Sequence, residues 1–409
     1  MKKASLGKLF SINTYWLGHS FMWNSLHPIV LPAILLHLVP AAMKNTYLGL
    51  LTFAGLVLAM LIQPISGAAS DGWRSRWGRR RPLALIGTLL DFVFLALLVW
   101  SGSILVVILG YIGLQIASNL AHGPVQGLLP DEVPHDQMGR ASGLKNLMEM
   151  GGLIAASIAA GRLLSPDDRY PTAIMLVVIG VLAAAALVTF ISAHEKPTSE
   201  LKNEKNTLNL KHAFSIDFHG NKNFFRLVAS RFIFLIGIYG VQTFAQYYIR
   251  DVMQAPNPVK ATGDLMAALA VALVACSVLG GWLTDRFGSR RVLVVASLLS
   301  AAGCFLLITA RDLQTMTLFS SLLGAGIGFY LTSNWALASR LAPRGEAGKF
   351  LGLTNLATAG ASAFSKLGGI GIDVANNAAP GRFLGYSLMF LLGGVFALAS
   401  LLVLAKVRE

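Results

Sequence analysis

Charged residues are scarce in this chain. Only 13% of its 409 residues are Asp, Glu, Lys or Arg, whereas 55% are hydrophobic, and the mean hydropathy is +0.64. A soluble domain carries about a quarter charged residues, so this composition excludes an ordinary soluble protein. The chain is therefore predicted to be an integral membrane protein.

Cysteine is nearly absent as well. The two cysteines, Cys276 and Cys304, lie inside apolar runs, so they predict no disulfide framework. The chain also lacks a His-Glu-x-x-His pair and a Gly-x-Ser-x-Gly turn, which are common signatures of metalloproteases and serine hydrolases. We therefore expect a protein that is not an enzyme, with no cofactor and no metal.

Apolar runs long enough to cross a bilayer occur twelve times. The stretch between the sixth and seventh runs is polar and rich in Lys and Asn. The predicted fold is an all-α membrane protein with one six-helix half at 1–193, a linker at 194–222 and a second half at 223–409. With about 20 residues per span, the predicted helices lie near 12–38, 45–70, 82–101, 103–128, 141–164, 171–193, 223–250, 263–284, 292–310, 314–338, 350–373 and 382–405.

The basic residues are distributed unevenly over the predicted loops. One side of the membrane holds 24 Lys and Arg residues and the other side holds 7. The excess marks the cytoplasmic side, so both termini and the linker are predicted to be cytoplasmic. The net charge of +14 is then explained by topology, and no nucleic-acid partner is expected.

An arginine-rich loop follows the second predicted helix, and a shorter copy of it follows the eighth. In both copies three residues separate the first glycine from an aspartate, and a glycine and paired basic residues follow. The first copy is four residues longer between the aspartate and the second glycine. The two copies comprise Gly67, Asp71, Gly78, Arg79 and Arg80 in the first half and Gly281, Asp285, Arg286, Gly288, Arg290 and Arg291 in the second.

A second internal repeat supports the division into halves. The segment 139–147 matches 348–356 at an offset of 209 residues, close to the offset of 214 between the two loops. Because both repeats run in the same direction, the halves are predicted to be parallel repeats.

The loop pattern resembles the signature of the major facilitator superfamily. The longer first copy, with a basic run that ends in Pro82, resembles the glycoside-pentoside-hexuronide symporters and the sucrose-transporter-like proteins. The resemblance implies two six-helix halves that rock around a central site. It also implies a gating role for Asp71 and Asp285, each held by a helix N-terminus of the opposite half when the cytoplasmic side is closed. Alternatively, Arg79, Arg80, Arg290 and Arg291 bind lipid headgroups.

Polar side chains form stripes on four predicted helices. Residues at i, i+4 and i+7 share one helix face, and such a face in hydrocarbon is expected to line a water-filled cavity. The alternative is that these residues hold neighbouring helices together by hydrogen bonds. The predicted substrate cavity comprises His19, Trp23, Asn24, His27, Gln115, Asn119, His122, Arg231, Tyr239, Gln242, Gln246, Asn355, Thr358, Ser362 and Lys366.

Two carboxylates within predicted spans are candidates for proton coupling. Glu149 and Asp91 lie about 10 to 14 Å from the cytoplasmic helix ends by the rise per residue, at the same depth as His19 and His122. A carboxylate in hydrocarbon favours the protonated form, which suits a coupling group. Alternatively, Glu149 pairs with Lys145 one turn earlier, and Asp91 bonds to the fourth helix.

Two further cations lie inside spans. Lys366 is deep in the eleventh predicted helix and shares a face with Asp373, so the pair is either a structural ion pair or a substrate anchor. Arg231 either contacts an anionic or polyhydroxylated substrate or extends to the cytoplasmic interface.

The sequence thus predicts a secondary active transporter in the cytoplasmic (inner) membrane. We expect a monomer embedded in the lipid bilayer that moves a small-molecule substrate, a sugar or glycoside first, by symport with H⁺. Compared with the family, the second helix lacks the aspartates of sodium sites, which disfavours sodium coupling. The alternatives are an exporter of amphipathic compounds and, from another class, a non-transporting sensor or assembly factor on the same fold.

Overall fold

The computed structural model describes residues 3–100, 102–193, 195, 220–343 and 347–407, and the regular structure in these ranges is helical. A π turn at Leu26–Val30 joins α1 to α2 in the first span, and α12 and α13 together form the eleventh. The helices are α1 (Leu6–Ser25), α2 (Leu31–Leu36), α3 (Lys44–Gly72), α4 (Arg81–Val99), α5 (Ile104–Glu132), α6 (Met138–Leu163), α7 (Thr172–Ser192), α8 (Lys222–Asp251), α9 (Pro258–Phe287), α10 (Ser289–Thr309), α11 (Leu313–Leu341), α12 (Ala347–Lys366), α13 (Gly368–Ala378) and α14 (Leu384–Leu404).

These helices confirm the predicted twelve-span membrane fold. Nine helices within the described residues are long and apolar enough to cross a membrane by themselves. The other three spans are α1 with α2, α6, and α12 with α13, which carry His19, Glu149 and Lys366, respectively. Ionisable side chains are not confined to these three spans, because Asp91 lies on α4, His122 on α5 and Arg231 on α8.

Several helices extend beyond the predicted spans. The first begins at Leu6 rather than near residue 12, because the Ser5 hydroxyl caps it by accepting the Lys8 N–H at 3.2 Å. Likewise α5 continues to Glu132 rather than ending near 128. Polar helix ends lie outside the hydrocarbon, so a hydropathy window misses them.

The described residues divide into two compact units. One comprises Met1–Lys202 with Pro256–Ala267, and the other comprises Asn203–Ala255 with Ala268–Glu409. Of the predicted linker at 194–222, only Glu195 and residues 220–222 are described; the rest lies outside the described residues.

In the first half, α1 packs on α6 and α7, and α5 packs on α3 and α4. Glycine permits the closest approach: a Cβ atom at Gly87 of α4 would lie 2.6 Å from the backbone N of Ala121 in α5. The backbones of α4 and α5 therefore approach each other closely at this point.

The second half repeats this arrangement. Helix α8 packs on α12 and α14, and α10 packs on α11 and α14. A Cβ atom at Gly237 would lie 2.9 Å from the Gly393 carbonyl oxygen, and the rings of Phe234 and Tyr330 stack 3.6 Å apart. The same order of packing in both halves agrees with the predicted parallel repeat.

Candidate functional site

A hydrogen-bonded cluster in the first half is centred on the His19 imidazole. Its Nε2 atom lies 3.2 Å from Trp23 Nε1, 3.2 Å from Ser118 Oγ and 3.4 Å from His122 Nδ1. The Trp23 indole can only donate, and it also lies 3.1 Å from Ser118 Oγ. An unprotonated His19 Nε2 therefore accepts a hydrogen bond here, whereas a protonated Nε2 would have to donate to Ser118 or His122.

His122 connects this cluster to α6. The imidazole rings of His19 and His122 are 4.8 Å apart, and the Trp16 ring lies 4.9 Å from His122. Lys145 Nζ lies 4.1 Å from the Trp16 ring, a cation–π distance. Two imidazolium ions this close, beside a lysine, would repel each other strongly away from bulk water. The histidine pair can therefore hold one proton at a time.

The same cluster extends along α5. His27 Nε2 lies 2.8 Å from Tyr111 OH, and Gln115 Nε2 donates to that hydroxyl at 2.8 Å. Asn119 Nδ2 donates to the Gln115 carbonyl at 2.8 Å, and the rings of Trp23 and His27 are 4.7 Å apart. The structure thus joins six of the predicted cavity residues: His19, Trp23, His27, Gln115, Asn119 and His122.

Glu149 lies beside this cluster but has a partner of its own. Its Oε1 atom lies 2.8 Å from Lys145 Nζ, and its side chain is 29% exposed. Ser20 Oγ donates to the Glu149 carbonyl at 2.6 Å, and Asn24 Nδ2 donates to the Ser20 carbonyl at 2.8 Å. The ion pair that the sequence left open is therefore formed.

Asp91 is fully buried on α4, and neither of its carboxyl oxygens has a hydrogen-bond partner among the described residues. Nearby, Tyr15 OH lies 3.1 Å from Thr88 Oγ1. An ionised carboxylate without a hydrogen-bond donor is disfavoured in such surroundings. The hydrogen bond to the fourth span considered from the sequence is not formed.

In the second half, Arg231 of α8 turns inwards and is only 6% exposed. Its Nε donates to Thr358 Oγ1 on α12 at 2.8 Å, and its Nη1 donates to Asn334 Oδ1 on α11 at 2.8 Å. The side chain therefore does not extend to the surface, which was the alternative from the sequence. Two neutral acceptors hold a permanent positive charge between three helices.

Lys366 is the second inward-lying cation of this half, and it is half-buried. It ends α12, and its Nζ donates to Thr243 Oγ1 of α8. Asp373, on α13, is also buried. The role of Lys366 in substrate binding stays a prediction. Of the other predicted cavity residues, Gln246 is buried, Tyr239, Gln242 and Ser362 are half-buried, and Asn355 is exposed.

The first arginine-rich loop is organised around the Arg80 guanidinium. Arg80 Nη2 lies 2.5 Å from Asp71 Oδ1, its Nε lies 3.0 Å from Asp131 Oδ2, and its Nη1 donates to Ser70 Oγ at 2.6 Å. Arg79 Nη2 lies 2.5 Å from the other Asp131 oxygen. The hydrogen bonds to Asp131 raise the pKa of Arg79 above its ordinary value. Protein carboxylates thus contact both of these arginines.

Glu195 closes the same loop from the chain beyond α7. Its carboxylate accepts the backbone N–H of Arg80 at 3.0 Å and that of Arg81 at 2.9 Å, at the N-terminus of α4. Burial raises the pKa of the Glu195 carboxyl above its ordinary value, although these two N–H donors act in the opposite direction. Gly78, with φ of 94°, lies against it: a Cβ atom there would be 2.3 Å from Glu195 Cβ.

The second loop is far more open. The Asp285 side chain is 84% exposed, and Arg340 Nη2 lies 4.0 Å from its Oδ1. Arg290 Nη2 donates to the Ala405 carbonyl at 2.9 Å, and the Arg286 guanidinium lies 5.4 Å from the Trp282 ring. The predicted latch of Asp71 and Asp285 onto the opposite half stays a prediction.

A protein-family model agrees with this architecture. The family model described as Major Facilitator Superfamily matches residues 13–366 and 257–409, which together span nearly the whole chain. The chain belongs to the major facilitator superfamily. As a major facilitator protein it spans the membrane many times and functions in transport.

Among curated relatives of this major facilitator protein is the multi-drug resistance efflux pump PmrA of Streptococcus pneumoniae, 22% identical over 84% of this chain and 82% of that protein. Sucrose transport protein SUC3 of Arabidopsis thaliana is 24% identical over 39% of this chain and 30% of its own. The predicted resemblance to sucrose-transporter-like proteins is thus confirmed over part of the chain.

Two solved structures share the fold. Nucleoside transporter NupG superposes with a TM-score of 0.74 and 13% identity over 99% of this chain and 100% of its own. A D-xylose-proton symporter superposes with a TM-score of 0.70 and 16% identity, covering 95% of this chain and 96% of that one. At such identities the likeness concerns the fold alone.

Four interacting residues were not predicted from the sequence: Asp131, Glu195, Asn334 and Thr243. One signal was available, because Asp131 lies 209 residues before Arg340, at the offset of the second repeat. The equivalent ends of α5 and α11 thus carry opposite charges, and the aspartate at the end of α5 is a candidate partner for the arginines of the first loop. No group of three or more His, Cys, Asp or Glu side chains among the described residues is arranged to bind a metal ion.

Proposed function

We propose that this major facilitator protein couples the movement of a small polar organic solute to the movement of protons. The observation that supports proton coupling best is the His19–His122 pair, 3.4 Å apart between nitrogen atoms. The groups facing it are Ser118 on α5, Trp23 on α1 and the Lys145 ammonium beyond Trp16. One proton bound there reverses the direction of hydrogen bonds that join α1 to α5. Binding of a proton therefore favours a different arrangement of these helices.

The two carboxylates that were predicted as coupling groups, Glu149 and Asp91, have different roles in this proposal. Glu149 is stabilised by Lys145 at 2.8 Å and serves as the charged neighbour of the pair. Asp91 is buried without a described hydrogen-bond partner and serves as a second proton carrier.

The solute is proposed to be polar because hydrogen-bonding groups dominate both buried clusters. A sugar or glycoside is the first class to test, and the D-xylose-proton symporter shows that a proton-coupled sugar carrier can have this fold. Export of amphipathic compounds is the second candidate. It is favoured by the relation to efflux pump PmrA over most of both chains.

Topology and assembly complete the proposal. The protein lies in the cytoplasmic membrane as a monomer, with both termini cytoplasmic, as the excess of Lys and Arg on one set of loops supports. Cysteine labelling tests this orientation. Lys260→Cys should react with an impermeant reagent from outside intact cells, and reaction from the cytoplasm alone would reject it.

Proteoliposomes test the transport function itself. Purified protein is reconstituted, a pH gradient is imposed, and uptake is followed for labelled sugars, glycosides, organic acids and amphipathic dyes. The proposal expects uphill movement of at least one solute that a protonophore abolishes. Uphill movement that persists with the protonophore would contradict proton coupling, and no movement of any solute would favour a sensor or assembly factor.

A further inference from the structure

The Arg231 guanidinium and the Asn334 amide together have more hydrogen-bond donors than the side chains around them have acceptors. Its Nη1 donates to Asn334 Oδ1 at 2.8 Å, which fixes the orientation of the amide, because the reverse orientation would direct an NH₂ group at the guanidinium. The Asn334 Nδ2 group is then left fully buried, and no hydrogen-bond partner for it exists among the described residues. Buried donors are rarely left without an acceptor in folded proteins.

The positive charge of Arg231 also lacks a carboxylate within these helices. The helices that hold it, α8, α11 and α12, contain a single acidic residue, Asp251. Asp251 lies about 30 Å along α8 by the rise per residue, and it accepts a hydrogen bond from Tyr386 OH at 2.7 Å. Charge and hydrogen bonding thus both leave room for an anion.

We propose that Arg231 and Asn334 form a binding site for an organic anion, and that its ligand is the carboxylate of the transported solute. A carboxylate accepts up to about four hydrogen bonds, so it can bond both the remaining guanidinium N–H groups and Asn334 Nδ2. It also supplies the charge that a buried guanidinium requires. The inference rests on the proposed function and narrows its substrate class to organic acids.

The second cation of this half belongs to a separate contact. Lys366 donates to Thr243, which lies about 18 Å along α8 from Arg231 by the rise per residue. A single carboxylate cannot reach both cations, so the proposal assigns the acidic group to Arg231 alone.

Matched carboxylate and carboxamide pairs test this site, because the two members differ in charge but hardly in size. Thermal unfolding of the purified protein is measured with lactate and lactamide, gluconate and gluconamide, and benzoate and benzamide. We expect at least one carboxylate to raise the unfolding temperature while its amide does not. In Arg231→Gln the affinity for that carboxylate should fall about 100-fold. Arg226→Gln, on the same helix but bonded to the Lys406 carbonyl, should leave it unchanged.

Asn334→Asp distinguishes anion binding from a purely structural arginine. The new carboxylate would lie beside Arg231 as a built-in counter-ion, so we expect higher thermal stability without ligand and loss of carboxylate binding. An arginine that only bridges three helices would tolerate this change, and binding would persist. Carboxylate binding that persists in a folded variant would overturn the proposal. If either Arg231→Gln or Asn334→Asp folds poorly, the other variant alone decides.

The remaining outcomes separate this inference from the proposed function. Stabilisation by short-chain phosphatidylglycerol but by none of the carboxylates would overturn it, because the anion would then be a lipid headgroup. Stabilisation by no anion at all would overturn it as well. Proton-driven uptake of neutral solutes alone would contradict the carboxylate site but agree with the proposed function. Carboxylate transport without proton movement would agree with the carboxylate site but contradict proton coupling.

Discussion

The two halves of the chain share a fold but differ in where they place charge. In the first loop, Arg80 lies between Asp71 and Asp131 with its side chain only 9% exposed. In the second half, Arg340 of α11 occupies the position equivalent to Asp131 of α5, and its Nη2 atom lies 4.0 Å from Oδ1 of the loop residue Asp285, whose side chain is 84% exposed. The first loop is a shielded network, and the second is an open surface pair.

The ends of the halves show the same reversal. Glu195, after α7, is an anion that accepts backbone N–H groups at the start of α4. In the second half, Arg290 is a cation that donates to the Ala405 carbonyl at the end of α14. Gly78 and Gly288 nevertheless keep positive φ angles of 94° and 86°. The repeat therefore preserves what the backbone requires, whereas the charges have diverged.

The buried and half-buried ionisable groups differ in kind as well. The first half contains groups that can gain or lose a proton, namely His19, His122 and Asp91. The second half contains Arg231 and Lys366, which carry positive charge on opposite ends of the α8–α12 contact. This difference suits a division of labour in which the first half binds the proton and the second half binds the solute.

The largest expected effect comes from removing the titratable pair of the first half. His19→Gln with His122→Gln should abolish uphill, pH-driven accumulation and leave exchange of bound solute intact, because glutamine keeps hydrogen bonding but cannot carry a proton. Accumulation and exchange are measured side by side in proteoliposomes. The matched control is Glu149→Gln, which should keep uphill transport. Loss of uphill transport in the control but not in the histidine variant would return the coupling role to Glu149.

Stability should fall unequally when equivalent loop arginines are removed. Arg80→Ala leaves the partly buried Asp131 with Arg79 alone and should cost about 2 to 3 kcal/mol. Arg290→Ala loses an exposed contact and should cost less than about 1 kcal/mol. Chemical unfolding in detergent measures both. Equal losses would show that the first loop is no more shielded than the second.

The two glycines offer a finer comparison. Gly288 has φ of 86° and ψ of 147°, a conformation that is nearly restricted to glycine, so Gly288→Ala should lose about 1 to 3 kcal/mol. Gly78→Ala should lose more, because the added Cβ also meets Glu195. The loss caused by Gly78→Ala should be smaller in a Glu195→Gly background than in the wild type, which thermal unfolding of the single and double variants measures. If the loss is the same in both backgrounds, the contact with Glu195 is not the cause.

The smallest effect concerns pH. Because burial raises the pKa of Glu195 in the folded state, the folded protein binds this proton more tightly than the unfolded chain does. Wild-type stability should therefore decrease as pH rises from the ordinary pKa of 4.5 through the folded value. Glu195→Gln removes this decrease, and unfolding temperatures at a series of pH values compare the two. A wild type that gains stability over this range relative to the variant would mean that the backbone N–H groups outweigh burial.

The twelve spans and the parallel repeat could be predicted from the sequence because hydrocarbon length and loop glycines leave periodic signals. The shared face of the α5 stripe also followed from the sequence, because helical periodicity determines which side chains share a face; in the structure His122 of this stripe lies beside His19. The partners of Arg80 and Arg231 were not predicted. Asp131, Glu195 and Asn334 lie between 51 and 115 positions away, so only packing of different helices brings them into contact.

Proton movement measured directly tests the division between the halves most sharply. Proteoliposomes that enclose a pH-sensitive dye, with no imposed gradient, receive the solute identified by the binding screen. The account predicts that wild-type protein moves protons together with the solute, and that the His19→Gln, His122→Gln variant moves the solute down its gradient without protons. Solute movement accompanied by the same proton flux in both proteins would contradict the account.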